Sequence, residues 1–363
     1  MVARYTSAQA AIKKPPKSVA VPKKERRKVG GNYFPDEVAP KHFIPSGSVL
    51  LDCVLGGGWV LGRVENIVGD KSTGKTLLAI EACANFARVY PKGRIYYREA
   101  ESAFDISYAH SVGLPTDRVD FGVNGPDTSW RTIEEVFVDL RKIVKYHEEH
   151  KVPGLYILDS LDALTSEQAL KREVGEGSYN LEKQKILGQL FEQMISDFKE
   201  AQLCIIIISQ VRDKIGFVVG EKHRRSGGKS LDFYASHIVW LIHIKTLVAT
   251  VKGEKRATGI RIKAKCKKNK VSVAMRECEF PIRFGFGIDD VEASVDWLVE
   301  KKMQDRLGIE KKKGKDGVAE FYDEIADLPP PEYAKRVEQI RTVVVQAWKE
   351  VDGWFAPKRK KYE

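Results

Sequence analysis

From Pro45 onward the apolar and polar positions follow two alternating rhythms. Short runs dense in Val, Ile, Leu and Tyr fall at Val64–Val68, Ile95–Arg98, Leu155–Leu158 and Leu203–Ile208. Each is strand length and almost continuously apolar, which predicts strands buried on both faces. Between them, Lys75–Tyr90, Thr132–Glu149 and Glu182–Ala201 carry helical patterns. This alternation predicts parallel βαβ units with helices on both sides of a sheet. After Ser236 the rhythm changes to successive strands at about 237–244, 259–266 and 271–284, with a turn near Gly253. Those strands are expected to extend the sheet in antiparallel fashion. From Val295 the pattern is helical again and ends in Tyr333–Val351, with Asp327-Leu328-Pro329-Pro330-Pro331 as a linker or helix start. The fold class expected is α/β, with a mostly parallel central sheet, an antiparallel extension and a small C-terminal lobe. Residues 42–290 would form the core and 291–363 the mainly helical lobe. Residues 1–41 show no clear period, and their KKPPK and PKKERRK runs cannot continue a helix through the prolines. A basic, mostly disordered arm is expected there.

Charge sharpens this outline more than composition does. An apolar fraction of 43% and a charged fraction of 31% are ordinary for a soluble domain. No run of 18 apolar residues and no apolar signal core is found, so neither a membrane span nor export is expected, and a cytoplasmic location is. The five cysteines, Cys53, Cys83, Cys204, Cys266 and Cys278, form no CxxC pair and read as buried thiols. The net charge of +11 is unevenly placed. Residues 1–41 hold ten Lys/Arg against three acids, and residues 252–283 hold eleven against three, which leaves the rest net negative. Two basic zones on a near-neutral body suggest a polyanionic partner, with nucleic acid the leading candidate. A solvated tail and a solvated sheet edge would account for the same charge.

The first candidate chemistry is Gly69-Asp70-Lys71-Ser72-Thr73-Gly74-Lys75-Thr76, which fits GxxxxGK[ST] directly after a strand and at the start of a helix. In that context backbone N–H groups wrap phosphates and the helix dipole favours negative charge. Lys75 would reach the β- and γ-phosphates of ATP, and the Thr76 hydroxyl would ligand Mg²⁺. Leu155-Tyr156-Ile157-Leu158-Asp159 is an apolar strand ending in a carboxylate, the form of a Walker B element, with Asp159 on the metal. Hydrolysis also needs a group to orient or deprotonate water, and Ile95–Arg98 runs into Glu99-Ala100-Glu101. By pattern alone either glutamate could serve.

With these motifs in view, the chain resembles the RecA family of bacterial and bacteriophage recombination ATPases. Ile44-Pro45-Ser46-Gly47-Ser48, Leu51-Asp52, Gly56-Gly57-Gly58 and Gly62-Arg63-Val64-Glu65 look like that family's approach to its P-loop. Glu99-Ala100-Glu101-Ser102-Ala103-Phe104-Asp105 is similar to the stretch bearing the catalytic glutamate, which falls on Glu101. Asp105 and Tyr108 then occupy positions that contact adenine. The longest match runs from Ser209-Gln210-Val211-Arg212-Asp213-Lys214-Ile215-Gly216 through Gly227-Gly228 and Phe233-Tyr234-Ala235-Ser236 to Asn269-Lys270. The resemblance implies that Gln210 senses the γ-phosphate and passes its state to a DNA-binding loop over about 211–226. That loop offers Arg212, Lys214, Arg224 and Arg225 for phosphates and Ile215 and Phe217 as wedges between bases, with Gly216, Gly227 and Gly228 nearby. A first DNA loop falls at about 173–181. Lys268 and Lys270 lie where the family reaches a neighbouring subunit's phosphates.

The resemblance covers about residues 44–290. It implies a RecA-type P-loop ATPase core that binds ATP and Mg²⁺, assembles as a helical filament on single-stranded DNA and pairs it with homologous duplex DNA. Single-strand-binding or loader proteins are further expected partners. A ring-forming helicase or an ATP-gated DNA-binding regulator is the alternative. Three departures stand out. Residues 1–40 lack a recognisable subunit-docking helix and strand, the C-terminus is basic, and Ser102 stands where a histidine is common.

Overall fold

A computed structural model describes residues 42–101, 104–122, 130–171, 179–213, 223–225, 228–356 and 359, all within the compact unit Gly31–Glu363. The chain enters through β1 (Phe43–Ile44), α1 (Val49–Leu55) and β2 (Trp59–Val60). The βαβ part follows: β3 (Val64–Gly69), α2 (Lys75–Val89), β4 (Arg94–Glu99), α3 (Ile106–Ser111) and β5 (Val119–Asp120). It continues with α4 (Ile133–His150), β6 (Gly154–Asp159), α5 (Glu167–Leu170), α6 (Tyr179–Glu200) and β7 (Leu203–Asp213). Then come β8 (His223–Arg225), α7 (Gly228–Tyr234), β9 (His237–Val251), β10 (Glu254–Asn269), β11 (Glu277–Arg283) and β12 (Gly287–Ile288). Helices α8 (Asp290–Glu300), α9 (Gly314–Ala326) and α10 (Pro330–Trp354) close the chain.

Among the described residues the main sheet has ten strands in the order β12-β11-β10-β9-β3-β7-β6-β4-β5, with β8 paired to β7. Strands β9, β3, β7, β6, β4 and β5 run parallel, and β9 to β12 are antiparallel neighbours. Strand β7 shows why its sequence is continuously apolar. Cys204, Ile206 and Ile208 face the cluster built with α1, α2, α8 and α10. Leu203, Ile205 and Ile207 face the opposite cluster built with α4 and α6. Both faces are covered, so no alternation with polar residues is possible. All five cysteines are free and buried.

The antiparallel part departs from the expected boundaries. The β9–β10 hairpin runs to Lys252-Gly253, both with positive φ (50° and 83°), a turn whose twist matches that of the strands and lets pairing continue to its tip. The third strand is shorter than expected, because Asn269 Oδ1 accepts from the N–H groups of Val271 and Ser272 at 2.8 and 2.7 Å. That side-chain turn diverts residues 270–276 from the sheet. Helix α1 was not predicted. All seven of its residues are buried, so it has no polar face to mark a period. The C-terminal helices share the core cluster of α1 and α2, with Trp297 stacked on Trp348 at 5.5 Å. Arg341 of α10 also donates to Asp290 Oδ2 at 2.9 Å, at the start of α8.

Candidate nucleotide-binding and hydrolysis site

Four parallel strands lie side by side in the order β3, β7, β6, β4; β3, β6 and β4 end in the candidate residues Gly69, Asp159 and Glu99, and β7 carries Gln210 level with Gly69. Gly69 of β3 pairs with Gln210 of β7, and Glu99 of β4 pairs with Asp159 of β6. Carboxyl ends of parallel strands are where such sheets bind ligands.

The loop after β3 is held by its own polar groups. Thr73 Oγ1 donates to the Asp70 carbonyl at 2.8 Å, and Lys71 N–H donates to Asp70 Oδ1 at 2.7 Å. Ser72 (φ 56°) and Gly74 (φ 82°) take left-handed conformations that curl the backbone round. A Cβ on Gly69 would sit 2.5 Å from Thr73 Oγ1, and one on Gly74 would sit 2.5 Å from Ile282 Cδ1. Both positions therefore exclude a side chain. Gly74 caps α2 without a side-chain hydrogen bond, so the first N–H groups of α2 point into the loop uncapped by any side chain of that residue. Lys75 Nζ donates to the Asp70 carbonyl at 2.7 Å, and burial lowers its pKa from the ordinary lysine value.

Thr76 Oγ1 and Tyr97 OH both donate to Asp159 Oδ2, at 2.8 and 2.7 Å. Burial pushes the Asp159 carboxyl up to about 6, and those two hydrogen bonds oppose the rise. A hydroxyl and a carboxylate at one point are hard oxygen donors of the kind Mg²⁺ takes alongside phosphate. A dication beside Asp159 would relieve its desolvated charge, and a polyphosphate would do the same for Lys75. The residues present therefore fit ATP with Mg²⁺.

The two glutamates have separate places. Glu99 is buried and turned back, with Oε1 accepting from Glu101 N–H at 2.7 Å. Glu101 is exposed, and its Oε1 accepts from Gln210 Nε2 at 2.9 Å and from Ser160 Oγ. Glu101, just past β4, thus joins Gln210 of β7 across β6, at the edge that carries Asp159 and the loop Gly69–Thr76. Glu99 supports the turn beneath it.

The RecA N-terminal domain family profile matches residues 34–289. The chain belongs to the RecA family. It is 32% identical over 287 residues to Protein RecA of Geobacter metallireducens, covering 78% of this chain and 80% of that one. It is 34% identical over 275 residues to Protein RecA of a Nocardioides species, covering 75% and 74%. To Protein RecA of Saccharopolyspora erythraea it is 30% identical over 309 residues, covering 83% and 84%.

The other positions expected from the RecA resemblance make contacts of their own. Asp105 caps α3, its Oδ1 accepting from Tyr108 N–H at 2.9 Å, and the Tyr108 ring is exposed on that short helix. Lys268 and Lys270, at the end of β10, donate to the Phe233 carbonyl at 2.9 and 2.8 Å and so cap the end of α7. Lys268 also donates to the Asp232 carbonyl. In the DNA-loop region, Arg212 pairs with Arg224 and Val211 with Arg225 in the β7–β8 hairpin, and Gly228 opens α7. Lys214, Ile215, Gly216, Phe217 and Gly227 lie outside the described residues, as do residues 173–178 of the first loop and the basic arm 1–41.

Sequence reading missed Tyr97, Ser160 and Ile282. Tyr97 belongs to an apolar strand and reads as core. Only its hydroxyl, reaching Asp159, gives it a place at the site. Ile282 comes from β11, far along the chain, and no local pattern links it to Gly74.

Proposed function

We propose that this RecA-family chain is an ATP-driven DNA recombinase that assembles on single-stranded DNA and exchanges strands with homologous duplex. The observation that carries the reading is the meeting of Thr76 of α2 with Asp159 of β6, and of Gln210 of β7 with Glu101 just beyond β4, along one edge of the parallel sheet. In this reading the backbone of Gly69–Thr76 wraps the phosphates of ATP, and Lys75 gives up its contact with the Asp70 carbonyl to pair with them. Thr76 and Asp159 would hold Mg²⁺, which would supply neutralisation of phosphate charge. Glu101 takes the proton of the attacking water, and Gln210 and Ser160 hold its carboxylate in place. Asp105 and Tyr108 contact adenine.

Gln210 also begins the end of β7 that enters the β7–β8 hairpin with Arg212, Arg224 and Arg225. A change at the phosphates therefore reaches the expected DNA loop within a few residues. Lys268 and Lys270 act on a neighbouring subunit's nucleotide, so hydrolysis requires assembly. The site of action is the cytoplasm, and among the described residues no helix is long and apolar enough to cross a membrane.

Electron microscopy with single-stranded DNA and ATP, together with a D-loop assay, tests the reading. Helical filaments and D-loop product are expected. Closed rings would point to a helicase-type motor, and filaments without D-loops to a DNA-binding regulator.

A further inference from the structure

One buried cation has no part in the reading above. Lys183 of α6 is 8% exposed, and its ammonium donates to three backbone carbonyls of a single turn. These are Leu161, Asp162 at 3.4 Å and Leu164 at 2.7 Å. An ammonium taken from water is costly unless its donors are satisfied, so three convergent carbonyls hold both the lysine and the turn in one arrangement.

That turn directly follows Asp159 and Ser160. On its other side it is tied to the end of β7. Leu161 N–H donates to the Ile208 carbonyl at 3.0 Å, and Asp162 Oδ2 accepts from Gln210 N–H at 2.6 Å. The Gln210 side chain in turn reaches Glu101, and Ser160 in the same turn reaches it as well. One hydrogen-bonded path therefore runs from Lys183 through the turn and Asp162 to both groups that hold Glu101.

We propose that Lys183 and Asp162 are positioning residues for ATP hydrolysis, setting the turn that places Gln210 and Ser160 on Glu101. The proposal rests on the reading of Glu101 and Gln210 as the hydrolytic pair. Neither residue contacts that carboxylate itself; each acts through the turn. Helix α6 opens at Tyr179, one helical turn before Lys183, so the ammonium also ties the axial position of that helix end to the site. Residues expected to form the first DNA loop lead into this helix end.

The test uses full-length chain carrying Lys183→Met, Lys183→Arg or Asp162→Ala. ATP turnover is measured over a range of ATP at saturating single-stranded DNA, with ADP affinity and thermal unfolding alongside. Groups that orient a reacting residue from behind typically account for about 10–100-fold in activity. Lys183→Met and Asp162→Ala should lower kcat by that order, while KM for ATP and ADP affinity change less than about twofold. Lys183→Arg should restore much of the rate. The Lys183→Met/Asp162→Ala double variant should be little worse than the poorer single one, because the two lie on one path.

A raised KM at unchanged kcat would overturn the proposal, as would additive losses or wild-type turnover in both variants. Should Lys183→Met fail to fold, Asp162→Ala decides alone, since Asp162 lies near the surface. Absence of DNA-dependent turnover in the unaltered chain would overturn the functional reading instead, so the two failures are distinct.

Discussion

Replacing Glu101 by glutamine removes a proton acceptor and little else. Its Oε1 accepts from Gln210 Nε2 at 2.9 Å and from Ser160 Oγ, and an amide oxygen can accept both bonds. The turn and Gln210 therefore keep their places while basicity is lost. A positioned general base contributes about 10²–10⁴-fold, which is about 2.7–5.4 kcal/mol at 1.36 kcal/mol per decade. Glu99→Gln provides the comparison. Glu99 accepts from Glu101 N–H at 2.7 Å, a bond that glutamine can also accept, so its loss should stay near the ~1 kcal/mol of one hydrogen bond, under about tenfold. Single-turnover hydrolysis with saturating single-stranded DNA, with nucleotide affinity measured separately, distinguishes them. Glu101→Gln should bind ATP and DNA normally and hydrolyse slowly, in long-lived filaments. Loss in Glu99→Gln with near-normal rates in Glu101→Gln would refute the assignment.

Three further outcomes are expected. Lys75→Ala and Lys270→Ala should each abolish DNA-stimulated hydrolysis, yet mixed filaments should recover part of it, since a Lys75→Ala subunit still supplies Lys270 to a neighbour with an intact P-loop; no recovery despite proven co-assembly would place Lys270 in its own subunit's site. Because burial holds the Asp159 carboxyl near 6, its proton competes with Mg²⁺ below that pH. Mg²⁺-dependent nucleotide affinity should fall by about tenfold per pH unit below 6, and Asp159→Asn, though weaker throughout, should lack that slope. Finally, Glu65 and His237 are both fully buried, and His237 Nδ1 lies 2.9 Å from Glu65 Oε2. His237→Phe should cost about 1–3 kcal/mol in urea unfolding, because the buried Glu65 Oε2 and the Leu55 carbonyl each lose the partner that the ring supplied. A cost under ~1 kcal/mol would show that the backbone N–H groups of Val60 and His237 suffice for it.

Legibility followed the range of the interactions involved. The βαβ core was readable because strands covered on both faces must be apolar throughout, as the split of β7 between two clusters shows. The loop Gly69–Thr76 was legible as a candidate phosphate cradle because such a motif keeps its glycines and lysine within eight residues. The choice between Glu99 and Glu101 was not readable from the local pattern. One ends β4 and the other lies two residues beyond it, and what separates them is the contact of Glu101 with Gln210, more than a hundred residues away. The diverted segment after Asn269 was missed for a different reason. Its apolar residues, Val271 and Val273, suit a strand, and a single side chain taking two backbone donors overrides that preference.

In the proposed reading, strand β7 is where nucleotide and DNA chemistry meet. Its residue Gln210 pairs with Gly69 of the P-loop strand, is held by Asp162 through its backbone, and holds Glu101 through its side chain. Three residues later the same strand ends in the hairpin with Arg212, Arg224 and Arg225. Side chains alternate faces along a strand, so a one-residue slip of this end would carry the Gln210 amide away from Glu101. The slip would have to break the Asp162–Gln210 bond first. In the proposed reading, hydrolytic competence and the register of the expected DNA hairpin then depend on one strand position. A ligand can favour one register only by its difference in affinity for the two.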